Sequence, residues 1–384
     1  MTPTMNDIPL IPVSSEMTQV DIETVIWKAI EYGASDILID CNYRIRIDVN
    51  GQIREITDKQ MQPNACRNIL EYMLGTKKSL INNVNAATPT FFAFVTKNPN
   101  DQSQIRSFRI AAITSRSLEY GKTYKMVGRL NPKTPKDAES LGIEPELVNL
   151  VKHNRKGILM FVGGVGTGKT TTMAGIVTSV LKTPSLGKHI LVFEDPPEIN
   201  YEGVKIAPGN SISVHEVGSV ETDSDVQSFN QGLEAALRLR PDIIVQGEIR
   251  SKESIENAFN ASNTGNFLMA TIHANSCETA MSRIYNMIDG ENKLAVLAGF
   301  ISQLSGIVAQ ILVRTLDGER IAVRETLYLT EEIREEMLKC KSDTEISVVV
   351  RRHLKEQELT FSQQIANLYH NSEIGPEYLL MESE

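Results

Sequence analysis

Apolar and polar positions fall into two regimes along this chain. In the first, Val25, Ile26, Ala29 and Ile30 recur at helical spacing within residues 20–32, and alternation over 36–40 and 43–49 then predicts half-buried strands. Asn50 and Gly51 supply the positive-φ residues that a tight hairpin needs, and the chain returns through 52–56. Further strands are predicted at 91–96, 107–115 and 122–130, which makes residues 18–130 an N-terminal α+β domain.

Residues 131–139 open on Asn-Pro-Lys-Thr-Pro-Lys, and prolines that fix φ and remove donors mark this segment as a linker. Beyond it the regime changes. A helix at 144–153 leads into apolar runs at 158–162, 190–193, 243–245 and 267–272, separated by amphipathic segments. Such alternation predicts an α/β domain over 140–330, its mostly parallel sheet covered by helices on both faces. Residues 331–384 read as a charged, helical C-terminal region.

One run tests this partition. Residues 294–313 carry no charge, a length that could cross a membrane. Gln303 and Gln310, seven apart, would share a helical face with Gly306, so the run is read as a buried helix with one wet edge. Residues 1–17 carry no Lys or Arg, contain Asp7, Pro3, Pro9 and Pro12, and read as a flexible tail rather than a signal peptide.

Composition narrows the function. A net charge of −9 argues against broad electrostatic binding to nucleic acid, which requires a basic surface. The cysteines 41, 66, 277 and 340 form no CxxC pair, which fits reduced thiols better than a zinc site.

Gly163, Gly164, Val165, Gly166, Thr167, Gly168, Lys169 and Thr170 fit GxxxxGK[ST], with a predicted strand before them and a helix from Thr171 after them. Glycines let the backbone wrap a polyphosphate, and the helix N-terminus adds partial positive charge. Lys169 is expected to reach the β- and γ-phosphates of ATP, and the Thr170 hydroxyl to ligate Mg2+.

Hydrolysis also needs a positioned water and a held metal. Two strand ends are acidic: Glu194-Asp195-Pro-Pro-Glu198 and Gly247-Glu248-Ile-Arg250. Ligands of open parallel sheets gather at the carboxyl ends of strands. Glu194 is assigned to orienting or deprotonating the attacking water, and Glu248 to holding Mg2+ through its water shell. His273, after the fourth run, either senses the γ-phosphate or makes a structural bond.

These motifs, in this order, resemble the secretion and pilus ATPase superfamily. The acidic box resembles Glu194-Asp195-Pro196 with Glu198, the Walker B segment Gly247-Glu248-Ile-Arg250, and the histidine box Thr264-Gly265 through Thr271-Ile-His273. Similarity extends to Glu216-Val-Gly218, Ala235 to Asp242, Ala34-Ser-Asp36, Arg46 to Gly51 and Ser107-Phe-Arg109, about residues 18 to 330. Asn266 stands where the first histidine of the box often lies, and Ser251 where an acidic residue often follows.

The resemblance is nearest to pilus-retraction ATPases and to the DotB-type ATPases of type IVB secretion and IncI-type conjugation, since no four-cysteine insertion is present. It implies a RecA-like core, a PAS-like N-terminal domain, and homo-hexamers with nucleotide between domains. It also implies that Arg109 and Arg129, with Arg116 a weaker match, reach the phosphates. The motor it implies is cytoplasmic, peripheral at the inner membrane through partners in a secretion or pilus machine, and makes no direct contact with nucleic acid. A small-molecule P-loop kinase, a nucleotide-gated scaffold without turnover and a DNA translocase are the alternatives.

Overall fold

A computed structural model describes residues 8–49, 51–77, 79–131, 134–218 and 224–380. The chain divides into two compact units: Met1–Thr134 with Pro196–Asn200 and Gly218–Asp225, and the remainder, Pro135–Asp195, Tyr201–Val217 and Val226–Glu384.

In the first unit, α1 (Gln19–Glu31) begins at a capping box in which Thr18 and Asp21 satisfy each other's backbone amides, at 3.3 and 2.9 Å. Strands β1 (Asp36–Asp40), β2 (Arg46–Val49) and β3 (Gln52–Glu55) follow. Gly51 takes φ 82° in the expected hairpin, while Asn50 lies outside the described residues. Next come α2 (Pro63–Leu74), α3 (Leu80–Asn85), β4 (Thr90–Asn98), β5 (Asp101–Ser117) and β6 (Gly121–Leu130).

Among the described residues the six strands form one sheet, ordered β3-β2-β1-β6-β5-β4. The sequence reading did not place α2, whose Cys66, Ile69, Leu70 and Met73 are buried at helical spacing. Residues 8–17 correct the expectation of a flexible tail. Ile11, Val13 and Met17 are buried in this unit's core, and the Ile11 amide donates to the Ile56 carbonyl at 2.8 Å. The linker expected over 131–139 includes Pro132 and Lys133, which lie outside the described residues.

The second unit runs α4 (Pro145–His153), β7 (Gly157–Val162), α5 (Lys169–Lys182), β8 (His189–Glu194), β9 (Ser211–Glu216), α6 (Phe229–Leu239), β10 (Ile243–Gln246), α7 (Lys252–Asn263), β11 (Phe267–Ile272) and α8 (Cys277–Met287). It continues through α9 (Lys293–Gln303), β12 (Leu304–Arg314), β13 (Arg320–Tyr328), α10 (Glu331–Lys339), α11 (Asp343–Glu356) and α12 (Phe361–His370). Its sheet is ordered β13-β12-β7-β11-β10-β8-β9, antiparallel only between β12 and β13. Every residue of β7, β10 and β11 is buried, as strands covered on both faces require. Ile333 and Met337 of α10 and Ile346 and Val350 of α11 join the same core.

The uncharged run 294–313 is not one helix. It is α9 followed by β12, with the backbone turning extended at Leu304 (φ −70°, ψ 122°). Beyond that point the run is rich in β-branched Ile307, Val308, Ile311 and Val313, which fit a pleated surface beside β7. Charge content cannot separate a buried helix from a buried strand. Among the described residues, no helix is long and apolar enough to cross a membrane.

Gly306 lets β12 approach β7: a Cβ there would lie 3.0 Å from Leu159 Cδ1. Gly306→Val is therefore expected to cost about 1–3 kcal/mol through overpacking. Urea unfolding should show a lower midpoint at unchanged slope, and an unchanged midpoint would contradict this packing.

Candidate active site

The chain leaves the buried strand β7 at Val162 and turns through 163–168 into α5. Gly166 and Gly168 have φ of 78° and 87°, a left-handed backbone that side chains resist. At Gly163 a Cβ would sit 2.5 Å from Thr167 Oγ1 and 2.7 Å from the Gln310 carbonyl. Gly164 is half-buried, whereas Val165 at the loop tip is 91% exposed.

Lys169 is buried, and its Nζ donates to the Gly163 and Gly164 carbonyls at 2.8 and 2.7 Å, so the ammonium lies along the loop. Thr170 is half-buried and Thr171 exposed in the first turn of α5. No side chain caps that turn, which leaves its amides suited to an anion. Together, the left-handed glycines, the amides without a side-chain cap and the loop lysine fit a triphosphate. Mg2+ would be held by the Thr170 hydroxyl, phosphate oxygens and water, since it keeps several waters in such sites.

The other assigned residues of this unit lie at neighbouring strand ends. Glu194 closes β8 with 5% exposure. Burial, and the nearby Glu194 charge after it, push the Tyr201 hydroxyl well above its usual range. Strand β10 pairs with β8 in parallel, Gln246 opposite Phe193, and Glu248 follows two residues later. Gln246 is fully buried and its Nε2 donates to the Glu248 carbonyl at 3.1 Å.

Both carboxylate oxygens of Glu248 face basic groups: Arg250 Nε at 2.6 Å on one, His273 Nε2 at 3.5 Å on the other. His273 follows β11, which lies between β10 and β7. Thr271, at the end of β11, donates its hydroxyl to the Gly247 carbonyl. Asn266, in the position of the other histidine, instead bonds the Ala261 carbonyl at 2.9 Å and finishes α7.

Arg109 and Arg129 belong to the first unit and stand directly opposite each other on β5 and β6. Like charges so placed repel, and each has its own carboxylate. Arg109 Nη1 meets Glu198 Oε1 at 2.6 Å, and Arg129 Nε meets Asp36 Oδ1 at 2.9 Å. Arg116, near the end of β5, is exposed. The assigned residues thus form two groups, one in each unit.

Two residues beside the loop were missed in the sequence. Gln310 of β12 is 1% exposed, and its Nε2 donates to the Thr167 carbonyl at 2.6 Å. Arg324, its partner on β13, is also buried. The available signal was Gln310 itself, one of two glutamines in an uncharged run, with apolar neighbours on both sides.

Residues 13–374 match the family model described as "Type II/IV secretion system protein". The chain is 29% identical over 366 residues to the type IV pilus ATPase PilU of Pseudomonas aeruginosa, covering 95% of this chain and 89% of the relative. It is 26% identical over 314 residues to the type IV pilus retraction ATPase PilT of that organism, covering 82% and 84%. The Legionella pneumophila ATPase DotB shares the fold, with TM-score 0.86 at 22% identity over 98% of this chain and 99% of that one. The pilus retraction motor PilT, solved with bound ADP, superposes with TM-score 0.79 at 25% identity, covering 94% and 96%. The parallel-sheet core is RecA-like, as in these structures, and with nearly its whole length matched the chain belongs to the Type II/IV secretion system protein family.

Proposed function

We propose that the chain is an ATP-hydrolysing motor that powers a secretion or pilus machine, working as a homo-hexamer of the type IVB or conjugative kind. The observation that carries this reading is the phosphate loop at the end of β7, with Glu194 and Glu248 at the ends of neighbouring parallel strands. The relative solved with bound ADP adds support for a nucleotide ligand.

In this reading the loop amides and Lys169 hold the β- and γ-phosphates, and the Thr170 hydroxyl meets Mg2+. The metal supplies charge neutralisation at the phosphate oxygens. Glu194 orients the attacking water and accepts its proton. Arg250 and His273 fix the Glu248 carboxylate so that it faces the metal's water shell, and His273 relays the state of the γ-phosphate. Arg109 and Arg129 exchange their carboxylate partners for phosphate as charge develops in the transition state.

The motor is cytoplasmic, contacts no nucleic acid directly, and reaches the inner membrane by docking to an integral component of its machine.

Lys169→Ala should greatly weaken binding of a fluorescent ATP analogue, because it removes the cation facing the phosphates. Wild-type affinity in a folded variant would remove the loop from the mechanism.

Glu194→Gln should keep nucleotide binding while phosphate release slows by about 10²-fold or more, the scale of positioned acid–base catalysis. If turnover survives there but Glu248→Gln abolishes it, the two carboxylates exchange roles.

Expressed without its machine, the protein should remain in the supernatant after high-speed centrifugation. Pelleting with membranes and resisting carbonate extraction would contradict docking through a partner.

A further inference from the structure

Gln310 is a buried polar side chain on β12, where an amide is unfavourable unless its donors and acceptors are met. Its bonds go to the phosphate loop and to what supports that loop. Nε2 donates to the Thr167 carbonyl at 2.6 Å. Oε1 accepts from the Thr172 hydroxyl of α5 at 2.7 Å and from Arg324 Nε at 3.3 Å.

Gln310 also lies against both ends of the loop. A Cβ on Gly163 would sit 2.7 Å from its carbonyl, and one on Gly168 would sit 2.9 Å from its Nε2. Arg324, directly opposite on β13, is tied in turn to the Gly142 and Leu141 carbonyls at 2.8 and 3.2 Å. Gln310 and Arg324 together border a cavity of about 640 Å³ that reaches Gly168 and Thr171.

An amide can present either end to its surroundings, and its partners decide which. A guanidinium N–H can only donate, so Arg324 must face the oxygen of the amide. The nitrogen is then left for the Thr167 carbonyl. In a trans peptide the Gly168 N–H points opposite to the Thr167 carbonyl, so the bond to Gln310 fixes the direction of that loop amide.

We propose that Gln310 is a positioning residue for nucleotide, holding the loop in its phosphate-binding shape through Thr167, with Arg324 setting the direction of its amide. This rests on reading 163–170 as the phosphate cradle, and it makes the β12–β13 hairpin part of the nucleotide site.

The test separates shape from stability. Gln310→Glu sets an acceptor against the Thr167 carbonyl, while its carboxylate pairs with Arg324 and offsets the loss of the amide's bonds. In the full chain, the melting temperature without nucleotide should stay near the wild-type value. Equilibrium titration with a fluorescent ATP analogue and Mg2+ should show at least about a tenfold loss of affinity, the scale of a buried hydrogen bond. Gly306→Val, which loosens the same strand away from the loop, should lower the melting temperature and leave affinity within about twofold of wild type.

Wild-type affinity in Gln310→Glu overturns the proposal, as does an equal affinity loss in Gly306→Val, which would make the role merely structural. If Gln310→Glu does not fold, Thr172→Val decides. It frees one arm of the amide and should weaken binding by about threefold, and unchanged affinity again overturns the proposal. A wild-type chain that binds no ATP analogue removes the motor reading itself, and this inference with it.

Discussion

Six residues between β7 and α5 must turn through a left-handed backbone at Gly166 and Gly168, against the ordinary preference of the chain. Much of the second unit serves that constraint. Strand β7 is fully buried between β11 and β12, which fixes where the loop begins. Helix α5 buries Met173, Ile176, Val177 and Val180, which fixes where it ends. Gln310 reaches across from β12 and holds the loop at Thr167, near its α5 end. The parallel order β7-β11-β10-β8 then places His273, Glu248 and Glu194 at successive strand ends on the loop's side of the sheet.

Charge is arranged differently in the two units. The carboxylates at the strand ends of the second unit are nearly buried, and Glu248 is held from both sides by Arg250 and His273. The arginines of the first unit are more exposed, each paired with one carboxylate. Exposed pairs contribute only about 0–1 kcal/mol each. Their effect is orientation rather than stability.

The strands that continuous apolar runs or clean alternation predicted are where the structure has them: β7, β8, β10 and β11 in the core, β1, β4, β5 and β6 in the first unit. The failures have physical causes. Helix α2 is a different case: Ala65, Cys66, Ile69, Leu70, Met73 and Leu74 recur at helical spacing and are buried, with Asn64, Arg67 and Asn68 between them, so its period was legible. Residues 8–17 have the prolines of a tail, yet Ile11 and Val13 are apolar at a spacing of two and line the core beside Thr57. Strand β9 is only partly buried at the sheet's edge and carries serines at alternate positions, so no apolar run announces it.

By itself the sequence determined the chemistry available: a phosphate loop between a strand and a helix, acids after two apolar runs, and a family signature spread over most of the chain. Those features are local, since glycine placement, strand length and the residue following a strand are all written within a few positions. Tertiary structure alone decided how the run 294–313 divides into α9 and β12, because both forms bury the same uncharged residues and only β7 beside them selects the strand. It also decided what Gln310 is for. On a helix its amide would mark a wet edge; on β12 the same amide meets Thr167, Thr172 and Arg324, partners 143, 138 and 14 positions away along the chain. Bonds over such separations exist only once the sheet has assembled, and no period along the chain encodes them.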